Sequence, residues 1–227
     1  MRNVNIVARY ESKLLRRDIV FLGFVVIALV GISLWQMIKQ GRVNVFWYKV
    51  ALPSSFPFFS MYYYNLVQVL IALFVCMEVV YRERKKDAME VFLCRPFRNS
   101  EYCIGRFLGI FRMFLFVNIC VLLVCMYINL WVVGAPFNVW IYVFYLFTLS
   151  IPTLIFVLGC ALSISAMVKN RPLSVLVLGL FGLGVYFYLD EWQFGAFDFW
   201  GRNLPNMFSD VVGHPDLKGY LLHRLTY

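Results

Sequence analysis

Five long apolar runs alternate with polar connections along this chain of 227 residues. The runs occupy residues 19–38, 59–81, 107–133, 139–168 and 173–189. A helix of about 20 apolar residues crosses a hydrocarbon layer that is about 30 Å thick. The first run carries no charge, whereas a soluble helix of that length normally has a polar face. The pattern therefore predicts an all-α, polytopic membrane protein with five transmembrane helices.

The last two runs each have a distinctive residue content. Residues 139–168 include Pro152, whose missing N–H and bulky ring predict a bend in that helix. Residues 173–189 form the shortest run and are rich in glycine, which lets helices approach closely in lipid. Its glycine face, which consists of Gly179, Gly182 and Gly184, would let another helix approach closely.

Lysine and arginine are distributed unevenly between the connections. Of the 21 basic residues, 1–18 hold five, 82–106 hold seven and 169–172 hold two. The other connections and the tail, 190–227, hold six together, and Arg112 lies within a run. Because positive charge favours the cytoplasmic side, the N-terminus is predicted inside and the tail outside. Membrane edges thus account for the net charge of +9, and no nucleic-acid partner is expected.

Motifs that would indicate an enzyme or a metal site are missing from the sequence. It contains no GxxxxGK(S/T) phosphate loop, no HExxH and no GxSxG elbow. His214 and His223 are nine residues apart, which would place them on opposite faces of a helix. The six cysteines form no CxxC pair, and none lies in a predicted outer segment. We therefore expect no catalytic residue, metal or cofactor.

Residues 1–18 have the pattern of an amphipathic helix. Ile6, Tyr10 and Leu14 recur at a spacing of four, Val7 and Leu15 flank them, and basic residues lie between them. Such a helix lies in the membrane interface with its cations at the headgroups. We predict an interfacial helix on the inner surface with the lipid bilayer as its partner. The alternative is a disordered basic tail.

Two charges lie inside the second and third runs. Glu78 is three residues from the end of the second run, and Arg112 is near the start of the third. Ionisable groups within spans pair with one another or reach the interface. We predict an ion pair between Glu78 and Arg112, and the alternative is that Glu78 reaches the headgroups by itself.

The connection 82–106 is too long and too patterned for a plain turn. It opens with RERKKDAMEVFLCRP, which predicts a short helix that ends at Pro96. An apolar patch on this helix consists of Met89, Phe92 and Leu93. The next helix is then capped by Asn99 or Ser100. An exposed apolar patch surrounded by charged residues is suited to bind in a groove of a protein partner. The alternative is that it packs on the ends of its own neighbouring helices.

These features resemble the permease subunits of ABC-2-type exporters. The family has a basic surface helix, a second span with a charged end, a short helix closed by proline and a polar cap before the third span. The matching residues here are Glu78, 82–84, Ala88, Glu90, Pro96 and 99–102. The family usually has Gly-Thr where Asp87 and Ala88 stand.

The resemblance implies that residues 86–96 are a coupling helix that docks on a separate ABC ATPase subunit, which binds the ATP. The implied contact residues are Asp87, Ala88, Met89, Glu90, Phe92, Leu93, Arg95 and Pro96. It also implies a second permease copy or a homologous permease, and a location in the inner membrane. Two alternatives remain open, a non-transporting membrane scaffold or accessory subunit and a membrane-embedded enzyme of lipid metabolism. No run presents a polar face that would name a cargo.

Residues 190–227 mark a departure from the family. Permeases of this type commonly have six spans, whereas this chain has five runs followed by an aromatic-rich segment that we expect outside. Asp216 is predicted to cap a final helix that carries Leu217, Leu221 and Leu225. We expect that the natural polypeptide continues beyond Tyr227, or that a partner helix takes the place of the sixth span.

Overall fold

The computed structural model describes residues 2–41, 54–83, 98–131, 137–168, 170–184, 214 and 216–225, and all regular structure in them is helical. The helices are α1 (Arg2–Leu15), α2 (Ile19–Gly41), α3 (Ser55–Glu83), α4 (Asn99–Trp131), α5 (Val139–Tyr145), α6 (Ile151–Met167), α7 (Arg171–Gly184) and α8 (Leu217–Leu225). A π-helical turn, Leu146–Ser150, joins α5 to α6. The predicted all-α class is therefore confirmed.

Four described helical segments are long and apolar enough to cross a membrane. They are Ile19–Gln36, Pro57–Arg82, Asn99–Trp131 and Val139–Met167. Large apolar side chains such as Ile27, Phe74 and Leu123 are exposed on their outward faces, where a membrane protein meets lipid. Length, composition and outward faces are those of a multi-pass membrane protein.

The fifth predicted run lies partly outside the described residues. α7 is 14 residues long and ends at Gly184, and residues 185–189 are not described. The described part of the chain holds four candidate spans, so the predicted count of five is not confirmed. A Cβ built on Gly179 or Gly184 would meet no atom within 4 Å. The packing of a partner helix on this face stays a prediction.

Carboxylate side chains set the first turns of α2 and α8. Asp18 accepts a hydrogen bond from the Val20 amide at 2.8 Å, and Asp216 accepts one from the Gly219 amide at 3.0 Å. Each cap satisfies an amide that has no acceptor within its helix. The short helix predicted after Asp216 is present as α8.

The π-helical turn immediately precedes the proline in the fourth span. Pro152 has no N–H to offer the carbonyl of Thr148, four residues earlier. The amide of Ile151 donates to the carbonyl of Leu146, five residues earlier. A widened turn, Leu146–Ser150, thus lies directly before Pro152 in this span, and the bend predicted from Pro152 stays a prediction.

α3 and α4 occupy the centre of the bundle, with α2 and α6 packed against both. Phe21 and Phe24 of α2 contact Phe114 of α4, and the rings of Phe21 and Phe114 lie edge to face with centroids 5.5 Å apart. Aromatic pairs in this geometry stabilise more than their buried area alone. On α3, the sulfur of Met61 accepts a hydrogen bond from Ser150 of the π turn at 3.5 Å.

Candidate functional site

The N-terminal helix α1 packs directly on the first turns of α4, across Gly105 and Gly109. A Cβ added to Gly109 would lie 2.7 Å from the Cβ of Glu11 and 2.9 Å from the oxygen of Ala8. A Cβ added to Gly105 would meet α1 at 2.8 Å. The hydroxyl of Ser12 donates to the Gly109 carbonyl at 3.0 Å. This close approach of two helix backbones requires glycine at both positions.

The contact divides α1 into faces with different surroundings. Val7, Ala8 and Leu15 are buried in the bundle, whereas Ile6 and Tyr10 are about half exposed on another side. The basic side chains are exposed: Arg9, Lys13, Arg16 and Arg17. The predicted helix is therefore present, and part of its predicted apolar stripe faces outward. Its contact with the bilayer stays a prediction.

Two buried charges connect α1, α3 and α4, and we call this region the α1 end of the bundle (Glu11, Arg82 and Arg106). Glu11 is 2% exposed, and its carboxylate pairs with the guanidinium of Arg82 at 3.3 Å. Arg106 is 8% exposed and donates to the carbonyl of Val79 at 2.7 Å. Buried charges are tolerated where such partners exist. These contacts bracket the connection 82–106 on both sides.

The residues predicted to couple to an ATPase lie within 84–97, outside the described part of the chain. They are Asp87, Ala88, Met89, Glu90, Phe92, Leu93, Arg95 and Pro96. Their docking on a partner stays a prediction. The helix ends that flank this segment, Glu83 of α3 and Asn99 of α4, are described. Asn99 is the first residue of α4, and the Arg98 carbonyl accepts the first helical hydrogen bond, from the Tyr102 amide at 3.1 Å. The cap predicted at Asn99 or Ser100 therefore falls one or two residues too late.

The other predicted charged pair consists of Glu78 on α3 and Arg112 on α4. Both side chains are exposed. Arg112 donates to the side-chain oxygen of Asn5 at 3.1 Å, which adds a contact between α4 and α1. The ion pair between Glu78 and Arg112 stays a prediction.

Three carboxamides meet near the middle of α3 and α4, and we call them the amide cluster (Asn65, Gln68 and Asn118). Nδ2 of Asn118 donates to Oε1 of Gln68 at 2.5 Å and to the Phe114 carbonyl at 2.7 Å. Nε2 of Gln68 donates to Oδ1 of Asn65 at 3.4 Å. None of the three side chains is more than 1% exposed. Carboxamides in lipid hydrogen-bond across helix interfaces, so this cluster links α3 to α4.

Several polar atoms of this region have no hydrogen-bond partner among the described residues. Nδ2 of Asn65 is an unused donor and Oδ1 of Asn118 is an unused acceptor. The hydroxyl of Tyr64, which can both donate and accept, is also buried without a partner there. An unsatisfied buried polar group costs about 1–3 kcal/mol. The amide cluster thus has an unpaired donor and an unpaired acceptor, and Tyr64 lies on the same face of α3 as Gln68, one turn earlier.

Neutral pairs continue along the bundle, away from the α1 end. The side-chain amide of Gln36 on α2 donates to the hydroxyl of Ser60 on α3. Nδ2 of Asn129, near the end of α4, donates to the hydroxyl of Tyr142 on α5 at 2.8 Å. The buried polar side chains along this part of the described spans are amides and hydroxyls. These side chains carry no charge at neutral pH, and they hydrogen-bond between helices.

α8 packs over the π turn through Tyr220, which is 1% exposed. Its hydroxyl donates to Thr148 at 3.1 Å, and its ring lies 5.8 Å from Phe144 and 5.1 Å from His214. Burial lowers the pKa of His214, while the carboxylate of Asp216 raises it and opposes this shift. The packing therefore favours the neutral imidazole.

The sequence analysis did not predict the glycine contact or the amide cluster. Gly105 and Gly109 have the small-xxx-small spacing of packed membrane helices, but they lie at and beyond the edge of an apolar run. The amides are single polar residues inside apolar runs, which is the available signal for them. The expectation that no run presents a polar face that would name a cargo stays a prediction, and Asn65 and Asn118 have unpaired buried atoms among the described residues.

No protein-family model, curated protein or solved structure matches this chain. Function is therefore inferred from two features of the chain itself. One is the charged α1 end beside the connection 82–106, and the other is the set of neutral amides between α3 and α4.

Proposed function

We propose that the chain is the transmembrane permease subunit of an ATP-driven exporter of the ABC-2 type. It lies in the inner membrane with its N-terminus in the cytoplasm and residues 190–227 outside, as the distribution of basic residues favours. A separate ABC ATPase binds and hydrolyses ATP, and a second permease copy or a homologous permease completes the assembly. The chain itself contributes no catalytic residue and binds no cofactor.

One observation carries this proposal beyond the class of membrane protein. The connection 82–106 begins at Arg82, which is paired with Glu11, and ends at Arg106, which is bonded to the Val79 carbonyl. A force applied to this connection acts on α1, α3 and α4 together. A connection attached in this way suits the transmission of movement from an ATPase to the spans.

The test is co-purification of the tagged chain with an ABC ATPase encoded by the neighbouring genes. Phe92→Asp and Glu90→Lys should abolish co-purification, because one apolar anchor accounts for about 2 kcal/mol or more of such an interface. Ile104→Asp is the matched control, since Ile104 is an exposed apolar residue near the start of α4. Both loop variants should reach the membrane as the wild type does. Wild-type recovery of the ATPase with both of them would refute the coupling.

Absence of any neighbouring ATPase gene would instead support the accessory-subunit alternative. In that case the connection 82–106 would dock a partner that does not hydrolyse ATP.

Orientation is tested with a native cysteine. Cys103 is exposed on α4, whereas Cys76 and Cys125 are buried, so variants that keep only Cys76 or only Cys125 serve as the controls. In sealed cells, a membrane-impermeant maleimide should label a single-Cys103 variant only after permeabilisation. Labelling of intact cells would reverse the proposed orientation.

A further inference from the structure

The amide cluster differs from a simple link between helices because its polar groups are only partly used. The Nδ2 group of Asn118 donates to Gln68 and to the Phe114 carbonyl, whereas its Oδ1 accepts no hydrogen bond among the described residues. Asn65 receives one long hydrogen bond from Gln68, which leaves Nδ2 unpaired among the described residues. The hydroxyl of Tyr64 is in the same situation. Gln36 and Asn129, in the neutral pairs, also have an unpaired oxygen, but the amide cluster combines an unpaired donor with an unpaired acceptor.

The chemistry of the unpaired atoms restricts the group that can satisfy them. Asn65 offers a donor, Asn118 offers an acceptor, and the hydroxyl of Tyr64 serves as either. All three side chains are uncharged at neutral pH. A carboxylate or an ammonium group placed here would be buried without a countercharge, at a large cost in free energy. A carboxamide or a hydroxyl, which both donates and accepts, would match the cluster.

The position of the cluster restricts how such a group arrives. Gln68 and Asn118 lie near the middle of two helices that are long enough to span a membrane. A ligand that enters the cluster at this depth from the lipid has an apolar remaining part. The ligand class is therefore a neutral amphiphile with one hydrogen-bonding head.

The contact between α3 and α4 is suited to open. α4 packs most extensively against α1, and α3 packs more extensively against α6 than against α4. Near the middle of the two spans, the hydrogen bond between Gln68 and Asn118 is the polar link across this contact. A ligand that replaced this hydrogen bond would compensate for the separation of the helices.

We infer that Asn65, Gln68 and Asn118, together with the hydroxyl of Tyr64, form a binding site for the carboxamide or hydroxyl group of a membrane-soluble amphiphile. As the site of a transported cargo, this assignment rests on the proposed exporter function. Binding itself requires neither ATP nor an ATPase, so it is measured on the isolated chain.

The probe is hexadecanamide that carries a photoreactive diazirine in its alkyl chain, added to the purified full-length chain in nanodiscs. Irradiation should label α3 and α4 near Gln68 and Asn118 in a saturable manner. Unlabelled hexadecanamide should compete about tenfold more effectively than methyl hexadecanoate, which has the same chain length but no donor. Equal competition by the two compounds, or labelling that does not saturate, would overturn the assignment.

Variants separate binding from a structural role. Asn65→Leu should raise the half-saturating concentration of the hexadecanamide probe about tenfold. Within the fold it removes only the 3.4 Å hydrogen bond that Asn65 accepts from Gln68. Tyr64→Phe removes a hydroxyl without a partner in the described structure and should weaken binding several-fold even if Asn65→Leu does not fold. Asn129→Leu, at the separate pair with Tyr142, is the control and should bind as the wild type does. Unchanged binding by Tyr64→Phe, or equal weakening by Asn129→Leu, would overturn the site.

The two proposals fail in different ways. If amide binding holds while no ATPase associates with the chain, the site stands and the exporter function falls. If an ATPase associates while hexadecanamide fails to bind, the permease proposal stands and the ligand class is wrong.

Discussion

The two halves of α4 contact their neighbours by different physical means. In the first half, Gly105 and Gly109 let the backbone of α1 approach so closely that there is no room for a single added carbon. In the second half, Asn118 and Asn129 reach other helices with flexible side chains and leave polar atoms unpaired. The first kind of contact has one geometry, whereas the second exchanges partners easily. This difference predicts that the first half stays fixed while the second half separates from α3.

Gly109→Ala tests most directly whether the close contact with α1 fixes the first half of α4. The added Cβ would lie 2.7 Å from Glu11 and 2.9 Å from the Ala8 carbonyl, so α1 must shift. We expect a loss of about 2 kcal/mol, as is typical of overpacked contacts. Gly159→Ala on α6 is the matched control, because its Cβ would meet no atom within 4 Å. That variant should gain about 0.5–1 kcal/mol from the lower chain entropy.

Unfolding of both alanine variants by SDS in mixed micelles, followed by circular dichroism, measures the difference. Equal stability of the two variants would mean that α1 is not held by the glycine contact.

The ion pair at the α1 end should respond asymmetrically to neutralisation. Arg82→Gln leaves the Glu11 carboxylate, whose side chain is 3% exposed, without its partner. Glu11→Gln leaves Arg82, whose side chain is 32% exposed and can be hydrated. We expect a loss of about 2 kcal/mol for Arg82→Gln and under about 1 kcal/mol for Glu11→Gln.

The double variant should resemble Glu11→Gln in the same SDS assay, because the unpaired buried carboxylate is then gone. A loss for the double variant equal to the sum of the two single losses would show that the groups act independently.

Sequence patterns predicted the parts of this fold that depend on one segment at a time. Apolar runs located the four long spans, and Asp216 indicated the start of α8. The buried face of α1 was missed for a physical reason. Ile6 and Tyr10 form the more evident apolar stripe, but Val7 and Ala8 are the residues that pack on α4. A helix with two apolar faces does not reveal which one binds protein.

The amide cluster could not be predicted because it depends on tertiary pairing. Gln68 and Asn118 are 50 residues apart in the chain and belong to different spans. A single amide changes the average hydropathy of a long run very little. Which amides face each other follows from how the helices are rotated, and that rotation is set by packing such as the contact of Phe21 and Phe24 with Phe114.

The hydrogen bond between Asn129 and Tyr142 should contribute less to the free energy of unfolding than the glycine contact at Gly109 or the ion pair between Glu11 and Arg82. Tyr142→Phe removes the acceptor of Asn129, and we expect a loss of about 0.6 kcal/mol, the average for hydrogen bonds between membrane helices. Tyr127→Phe is the control, since Tyr127 is an exposed tyrosine on α4. A loss for Tyr142→Phe above the loss for Gly109→Ala would reverse the proposed difference between the two halves of α4.

Acidification should weaken the packing of α8, with the smallest effect of the four. Because burial lowers the pKa of His214 in the folded state, the unfolded state binds the proton more readily. The contribution of the neutral ring is therefore complete above the ordinary pKa of histidine, about 6.5, and decreases as the pH falls below that value. Hydrogen exchange of the Tyr220 backbone amide, corrected for intrinsic rates, should become faster from pH 7 to pH 5 in the wild type and not in His214→Phe. An identical pH response of the two proteins would exclude His214 as the cause.

The π-helical turn Leu146–Ser150 gives the fourth span a tolerance that an unbroken α-helix lacks. Such a turn holds one residue more than the α-helical turn it replaces. Deletion of a single residue within the turn would convert it to a regular α-helical turn. α5 and α6 would then keep the same faces towards α3, whereas a deletion elsewhere in α6 would rotate every later side chain by about 100°. A deletion within this turn therefore leaves the same side chains of α5 and α6 packed in the core. Related sequences are expected to vary in length at this turn.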